Sequence, residues 1–340
     1  MSCRWKTLAA ISILSLLLGN ASHAAVGFQQ ITVPDPEGKP LAVGIWYPSR
    51  GPTADLPVGQ FRQAVVLDGP LLGLKLPLVL ISHGTGGGLA SHYDTALALA
   101  NAGFVVAAVT HTGDNYMDQS YAGNRVDLTD RPRQIRRVLD FLLKEWSQHQ
   151  QLDATRIGIF GVSLGGFTAL VEIGGRPDLT LMAQLCSSKP GAPECSFIQQ
   201  RKGDQLKPST TPPVWIHDPR IKAAVVAAPA ASYPFAAGGL RQVRIPVQLW
   251  RAENDRQAPN AWNSDIVAKG LPQLAEEHTV PEAGHFVFLA PCSDLLASQA
   301  PQICKDAPGV DRVEFHRQFN QSVIAFFCAT LDCHSNSGRQ

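Results

Sequence analysis

The stretch Gly161-Val162-Ser163-Leu164-Gly165-Gly166 predicts a serine held on a sharp turn between a strand and a helix. Residues 156–160 before it have strand character, and the apolar run 167–173 after it is typical of a buried helix. Side chains two positions before and after the serine would collide across such a turn, and Gly161 and Gly165 avoid that collision. The G-x-S-x-G pattern in this context predicts that Ser163 is a nucleophile.

The composition is that of a folded chain with a large core and no special charge. The sequence has 340 residues, of which 45% are hydrophobic and 17% are charged. The formal net charge of +1 indicates neither a basic face for nucleic acid nor an acidic tail. We therefore expect no nucleic-acid partner.

The first 24 residues predict a secretory signal peptide. Arg4 and Lys6 give a positive start, residues 8–18 are apolar, and residues 21–24 offer small side chains for cleavage after Ala24. The apolar run is too short for a mature membrane span, although an uncleaved anchor is the alternative interpretation. We expect a secreted or periplasmic protein whose single domain covers residues 25–340 and which keeps no stable membrane span.

Six cysteines remain once Cys3 is removed with the signal peptide. An even number in an exported chain predicts disulfides, and these six form three pairs that are close in sequence. A zinc site is the weaker alternative, because no C-x-x-C pair and no closely spaced second histidine accompanies them. The predicted disulfides are Cys186 with Cys195, Cys292 with Cys304, and Cys328 with Cys333.

Apolar strands alternate with helices along most of the chain, which predicts an α/β fold with a mostly parallel sheet covered by helices on both faces. The predicted strands are residues 28–33, 41–47, 76–82, 104–109, 156–160, 221–228, 245–250 and 278–280. The predicted helices are residues 89–101, 167–173, 262–270 and 313–327, with a further helix that starts at 129–132 and runs to Trp146. Residues 48–75 show no clear periodicity.

Residues 176–218 interrupt this alternation. They lack periodicity and contain proline, serine, lysine and the first cysteine pair. Long irregular segments inside a regular fold are usually functional, so we expect a lid or cap insertion, with a plain surface insertion as the alternative.

A serine hydroxyl needs a base to remove its proton, and the base needs a carboxylate to orient it. With this type of turn the partners follow in the order serine, acid, histidine. Asp255 lies just after the predicted strand 245–250, and His285 lies in a Gly-His loop further on. We predict Ser163, His285 and Asp255 as a catalytic triad, with Glu253 as the alternative acid.

An oxyanion formed during attack on an ester requires preorganised donors. The backbone N–H of Leu164 follows the serine, and the glycine-rich loop His83-Gly84-Thr85-Gly86-Gly87-Gly88 is placed to supply a second N–H, from Thr85. A phosphate-binding loop is the rival interpretation of these glycines, but the Gly-Lys-Ser/Thr ending is missing.

Four further residues are candidates for contact with a substrate, with a purely structural role as the alternative for each. Trp250 and Phe286 lie close in sequence to the predicted acid and base and suit an apolar pocket. His111 and Asp114 follow a buried strand, and sites in such folds lie at the carboxyl ends of strands.

Five motifs together resemble those of the α/β-hydrolase superfamily, and within it those of the exported dienelactone-hydrolase-like proteins related to type II platelet-activating-factor acetylhydrolases. The motifs are Ile45-Trp46-Tyr47-Pro48, Ser82-His83-Gly84, Arg131-Pro132, the stretch around Ser163, and Gly284-His285. They span most of the mature chain. The resemblance implies an α/β-hydrolase fold and hydrolysis of carboxylic esters without a cofactor or metal. Dienelactone hydrolases proper use a cysteine nucleophile, where this chain has Ser163.

The sequence therefore predicts a secreted serine hydrolase that acts on a small-molecule or lipid ester. The same triad could instead cleave phospholipid acyl chains, polyesters or amides. A catalytically silent binding protein is the alternative from another class, because a fold does not fix a function.

Overall fold

Ten strands form one sheet in the computed structural model, which describes residues 24–200 and 213–332. The strands are β1 (Ala24–Val33), β2 (Leu41–Arg50), β3 (Ala54–Val58), β4 (Phe61–Leu67), β5 (Leu76–Ser82), β6 (Val105–Thr110), β7 (Leu152–Val162), β8 (Ile221–Ala227), β9 (Val247–Ala252) and β10 (Leu274–Val280). Their order across the sheet is β10-β9-β8-β7-β5-β6-β2-β1-β4-β3.

Six neighbouring strands, from β6 through β5, β7, β8 and β9 to β10, pair in parallel. Every residue of β5 and β6 is buried, as expected for strands covered on both faces. The hairpin β1–β2 adds to this block through an antiparallel pairing of β2 with β6. The predicted mostly parallel sheet is confirmed.

Strands β3 and β4 were not expected from the sequence. They form an antiparallel pair at the edge of the sheet, inside the segment 48–75 that shows no clear periodicity. β3 is mostly exposed and contains Pro57, which suits an edge strand but removes the usual strand pattern.

Helices cover both faces of the sheet. The helices are α1 (Tyr93–Asn101), α2 (Arg125–Lys144), α3 (Leu164–Glu172), α4 (Leu179–Ser188), α5 (Pro193–Gln200), α6 (Ser264–Gly270), α7 (Asp294–Gln299), α8 (Pro301–Cys304) and α9 (Arg312–Leu331). Side chains of α2, α3 and α6 belong to one apolar core, and those of α1 and α9 belong to a second. Within the described ranges, no helix is both long and apolar enough to cross a membrane.

Helix α2 begins one turn earlier than predicted. The expected start at residues 129–132 would have placed Pro132 in the first turn, whereas Pro132 lies inside the helix. The extra turn contains Asp127, whose carboxylate accepts a hydrogen bond from Arg131 (3.1 Å), four residues later and fully buried. This contact stabilises a helix start at Arg125, which the position of Pro132 in the sequence does not indicate.

Residues 179–200 form two helices, although the sequence predicted no regular structure there. The Cys186–Cys195 disulfide joins α4 to α5 with a Cα–Cα distance of 5.4 Å. Met182, Leu185 and Ile198 pack around it in a small core of their own. The helices were missed because each is short and buries its apolar side chains mainly within this insertion. Residues 201–212, the rest of the predicted lid, lie outside the described residues.

The Cys292–Cys304 disulfide closes the segment that contains α7 and α8, with a Cα–Cα distance of 5.8 Å. Both of these bridges are the predicted ones. Cys333, and with it the predicted Cys328–Cys333 bridge, lies outside the described residues, as do residues 1–23 of the predicted signal peptide.

We expect that replacing Cys292 and Cys304 together by serine will lower the free energy of unfolding by about 3 kcal/mol, the loss of loop-closure entropy for a loop of this size. The two cysteines are 12 residues apart. Denaturant unfolding of the oxidised proteins measures the difference. A double variant as stable as the wild type would contradict a stabilising role for this bridge.

Candidate active site

Ser163 lies on the turn between β7 and α3 with a φ of 56° and a ψ of −122°. A positive φ is uncommon for serine, and strained backbone of this kind persists only where the surrounding structure holds it. A Cβ at Gly165 would overlap the carbonyl oxygen of Ser82, and a Cβ at Gly161 would overlap that of Gly165. Gly165 is therefore required by the close crossing of the turn with the end of β5, and Gly161 by the tightness of the turn itself.

His285 and Asp255 reach Ser163 from loops that follow the last two strands. His285 Nε2 lies 2.9 Å from Ser163 Oγ, and His285 Nδ1 lies 2.7 Å from Asp255 Oδ2. The other oxygen of Asp255 accepts hydrogen bonds from the N–H groups of Gln257 (2.9 Å) and Ala258 (2.7 Å). A carboxylate fixed in this way requires the proton on Nδ1, which leaves Nε2 free to accept the serine proton.

Glu253, the alternative acid, lies outside this chain of hydrogen bonds. Its side chain is exposed, and its carboxylate accepts a hydrogen bond from the N–H of Glu282 (2.8 Å). Asp255 is buried and contacts the imidazole directly. The geometry therefore favours Asp255 over Glu253 as the partner of His285.

The loop after β5 runs beside the serine. A Cβ on Gly84 would lie 3.0 Å from Ser163 Cβ, so the backbone of this loop approaches the serine more closely than a side chain would allow. Thr85 and Leu164 both line the cavity that contains Ser163. Neither backbone N–H donates a hydrogen bond to any other group in the described part of the chain. Both N–H groups remain available to an oxyanion.

The buried side chain of Arg131 supports the loop after β5 through hydrogen bonds. Arg131 donates from Nη1 to the carbonyl of His83 (2.7 Å) and from Nη2 to Asp114 (2.8 Å). Asp114 in turn accepts a hydrogen bond from the N–H of Gly86 (2.9 Å), next to Thr85. In the sequence, Arg131 stands out only within the predicted helix start and a family motif, because its support of the loop depends on contacts with residues far away in the chain.

Asp127 also contacts Arg131, so two buried carboxyl groups face one guanidinium. Burial raises the pKa of Asp127 well above its ordinary value, and the neighbouring Asp114 raises it further, although Arg131 opposes the shift.

His83 contributes to the same support through a defined tautomer. Its Nε2 accepts a hydrogen bond from the N–H of His111 (3.0 Å), while Nδ1 lies 2.6 Å from the carbonyl of Gly84. The first contact requires a lone pair on Nε2, so the proton must be on Nδ1. Burial and the charge of Arg131 lower the pKa of His83 to about 3.

A cavity of about 690 Å³ opens above Ser163 and is lined mostly by apolar residues and glycines. The insertion contributes Leu179, Met182, Glu194, Phe197 and Ile198 to its wall. The segment closed by the Cys292–Cys304 bridge contributes Leu296, Ala300 and Ile303. Both disulfide-closed segments therefore form walls of the cavity.

The buried amide of Asn263 connects the insertion to the loop that follows Asp255, and no sequence pattern pointed to this residue. Asn263 donates a hydrogen bond to Glu194 (2.5 Å) and one to the carbonyl of Pro259 (3.2 Å), and it accepts one from the N–H of Ser232 (3.0 Å). Asn263 and Glu194 are 69 residues apart, so no local pattern connects them.

Of the four residues expected to contact substrate, only Phe286 lines the cavity. His111 and Asp114 are fully buried and support the loop after β5 instead. Trp250 is buried on β9, where its ring stacks on His278 with a centroid distance of 4.1 Å. For these three the geometry favours the structural alternative, because a position at the end of a strand does not determine where the side chain points.

The parallel sheet, the serine on its turn after β7, and the acid and histidine on later loops define the architecture of an α/β hydrolase. The sequence matches the model of the family described as "Alpha/beta hydrolase family" over residues 46–297. The chain belongs to this family, which confirms the superfamily resemblance seen in the sequence.

Solved structures of the same fold are similar over nearly the whole chain. A ferulic acid esterase from Streptomyces cinnamoneus is 19% identical, with a TM-score of 0.59, over 94% of this chain and 93% of that one. A dienelactone hydrolase from Anabaena variabilis is 16% identical, with a TM-score of 0.52, over 89% of this chain and 98% of that one. A comparison with curated proteins gave no match.

The neutral state of His83 predicts a specific loss of stability in acid. The unfolded chain binds a proton on this imidazole below pH 6.5, whereas the folded chain does so only near pH 3. Stability is therefore lost as the pH falls from about 6.5 toward 3, by about 1.4 kcal/mol per pH unit for this group.

We expect His83→Gln to flatten this dependence, because its side-chain oxygen can still accept from His111 but does not titrate. Urea unfolding between pH 6.5 and pH 4 measures the slope, and an identical slope for the variant and the wild type would contradict the assignment.

Proposed function

We propose that the protein is an exported serine hydrolase that cleaves carboxylic esters through an acyl-enzyme intermediate. The observation that carries the proposal is the hydrogen-bonded chain from Ser163 through His285 to Asp255, with distances of 2.9 Å and 2.7 Å. The structural similarity to a ferulic acid esterase and a dienelactone hydrolase is consistent with ester substrates. The two disulfides support an oxidising location outside the cytoplasm.

In the first half-reaction, Ser163 Oγ attacks the ester carbonyl carbon while His285 Nε2 takes the serine proton. Asp255 holds the Nδ1–H and stabilises the imidazolium that forms. When the carbon–oxygen bond to the alcohol breaks, His285 returns the proton to the leaving oxygen. Water then attacks the acyl-enzyme with His285 again as the base, which releases the acid and restores Ser163.

The negative charge of each tetrahedral intermediate lies on the former carbonyl oxygen. The N–H groups of Leu164 and Thr85 are the donors that we assign to it, since both line the cavity beside Ser163 and have no other acceptor in the described chain. The network of Arg131 and Asp114 fixes the second donor before substrate binds. Such preorganised donors stabilise a transition state by about 3 to 4 kcal/mol each.

The cavity indicates the kind of ester. A volume of about 690 Å³ with a mostly apolar lining fits a small-molecule or lipid ester with a bulky hydrocarbon part. The ring centroids of Phe286 and His285 lie 5.4 Å apart, and both residues line this cavity. We therefore expect the enzyme to prefer acyl groups larger than acetyl.

Hydrolysis of p-nitrophenyl esters from acetate to laurate measures this preference. We expect kcat/KM to rise from acetate to medium acyl chains as more apolar surface is buried. A constant or falling kcat/KM along the series would contradict the assignment of the cavity as the acyl site. Matched anilides, phospholipids and a polyester in the same assay test the other substrates that this triad could cleave.

We expect Asp255→Asn to lower kcat roughly 10⁴-fold, because the amide no longer fixes the histidine tautomer or stabilises its charge. Glu253→Gln is the matched control and should leave kcat close to the wild-type value, since this side chain is exposed and contacts Glu282 rather than His285. Steady-state kinetics on one ester distinguish the two. A larger loss in the Glu253 variant would reverse the assignment of the acid.

Ser163→Ala tests whether the protein is an enzyme at all. The wild type should be labelled by a fluorophosphonate probe and should hydrolyse p-nitrophenyl esters, and the variant should do neither. A wild type that shows no Ser163-dependent labelling or turnover would favour a catalytically silent binding protein on this fold.

A further inference from the structure

A second histidine and aspartate lie behind the turn that carries His285. This turn is the short 3₁₀ segment His285–Phe288, closed by a hydrogen bond from the N–H of Val287 to the carbonyl of Gly284 (3.1 Å). The carbonyl of Val287 faces inward, where His316 Nε2 lies 2.8 Å away. His316 is on α9 and is almost fully buried.

The other side of the His316 ring is fixed by α1. Nδ1 of His316 lies 2.6 Å from Asp94 Oδ2, and the same oxygen accepts a hydrogen bond from Asn320 (2.8 Å). Asn320 in turn accepts one from the hydroxyl of Thr95 (2.7 Å). The ring is therefore held on both sides, between a carboxylate on α1 and the backbone of the His285 turn.

Both partners of the His316 ring are hydrogen-bond acceptors. A backbone carbonyl can only accept a hydrogen bond, and an ionised carboxylate likewise only accepts. Burial acts to raise the pKa of Asp94, but hydrogen bonds from His316 and Asn320 and the charge of His316 outweigh it and lower the pKa. The ring of His316 is therefore placed to donate a hydrogen bond to Asp94 and another to the Val287 carbonyl.

We propose that His316 is a positioning residue that holds the His285 turn, through the Val287 carbonyl, so that His285 Nε2 stays within hydrogen-bonding distance of Ser163 Oγ. The inference rests on the proposed function in so far as it predicts an effect on catalysis. His316 touches neither substrate nor the reacting atoms, and it acts through the Val287 carbonyl, two residues from the base. A small displacement of a catalytic group can cost about a hundredfold in rate.

The competing interpretation is that the pair only ties α1 to α9. Two substitutions separate these roles, because the amide nitrogen of asparagine lies near the position of Nδ1 and that of glutamine near Nε2. His316→Asn keeps a donor for Asp94 and loses the contact with Val287. His316→Gln keeps a donor for Val287 and loses the contact with Asp94.

The first measurement is the rate of Ser163 labelling by a fluorophosphonate probe, together with kcat and KM for one p-nitrophenyl ester. We expect His316→Asn to lower the labelling rate and kcat by about tenfold to a hundredfold with KM unchanged, because the base is misplaced while the cavity is intact. His316→Gln should stay close to the wild type in both.

The second measurement does not depend on activity. Amide hydrogen exchange across residues 284–289 should be faster in His316→Asn than in the wild type, and close to the wild type in His316→Gln. Thermal unfolding of both variants reports any general loss of stability, against which the local exchange is compared.

The outcomes are distinct. Equal labelling rates and equal local exchange in the two variants would overturn the proposal. The contact between His316 and Asp94 would then serve only to hold α9 against α1. Faster exchange in His316→Asn alone, in a protein whose wild type shows no Ser163-dependent labelling, would support the positioning role and refute the proposed function. Slower labelling in His316→Asn alone, with faster local exchange, would support both.

Discussion

The close crossing between the end of β5 and the turn after β7 is the constraint on which the site depends. There is no room for a side chain at Gly165 against the carbonyl of Ser82, and the backbone at Ser163 takes a φ of 56° to complete the turn. Because the two strands are neighbours in the sheet, the loop that follows β5 must pass beside the serine. The same steric contact thus orients the hydroxyl and brings Gly84 and Thr85 next to it.

The remaining members of the site are held by backbone contacts rather than by side-chain packing alone. Asp255 is fixed by two N–H groups of its own loop, and the turn of His285 is fixed through the Val287 carbonyl by His316. The loop after β5 is fixed by Arg131 through the His83 carbonyl. His316 and Arg131 are both buried, so these two contacts reach the loops beside Ser163 from the protein interior.

Local sequence patterns were sufficient for eight of the ten described strands, all but β3 and β4, and for the three residues that the structure brings together at Ser163. Continuous apolar runs identified the buried strands, and the chain order serine, acid, histidine selected Asp255 and His285. The patterns failed where a contact joins distant segments: Arg131 under His83, and His316 behind the His285 turn. The role of His111 was not predicted for a related reason. The sequence shows that this residue follows a strand, but it does not show that the side chain is buried. The helices of the insertion were missed because they bury their apolar side chains mainly against each other.

The two described disulfides have a consequence for how the protein matures. Neither bridge joins strands of the sheet, and both close segments that wall the cavity above Ser163. Oxidation of these two cysteine pairs therefore cross-links the walls of the cavity, whereas the strands that carry the turn at Ser163 hold together through hydrogen bonds and packing.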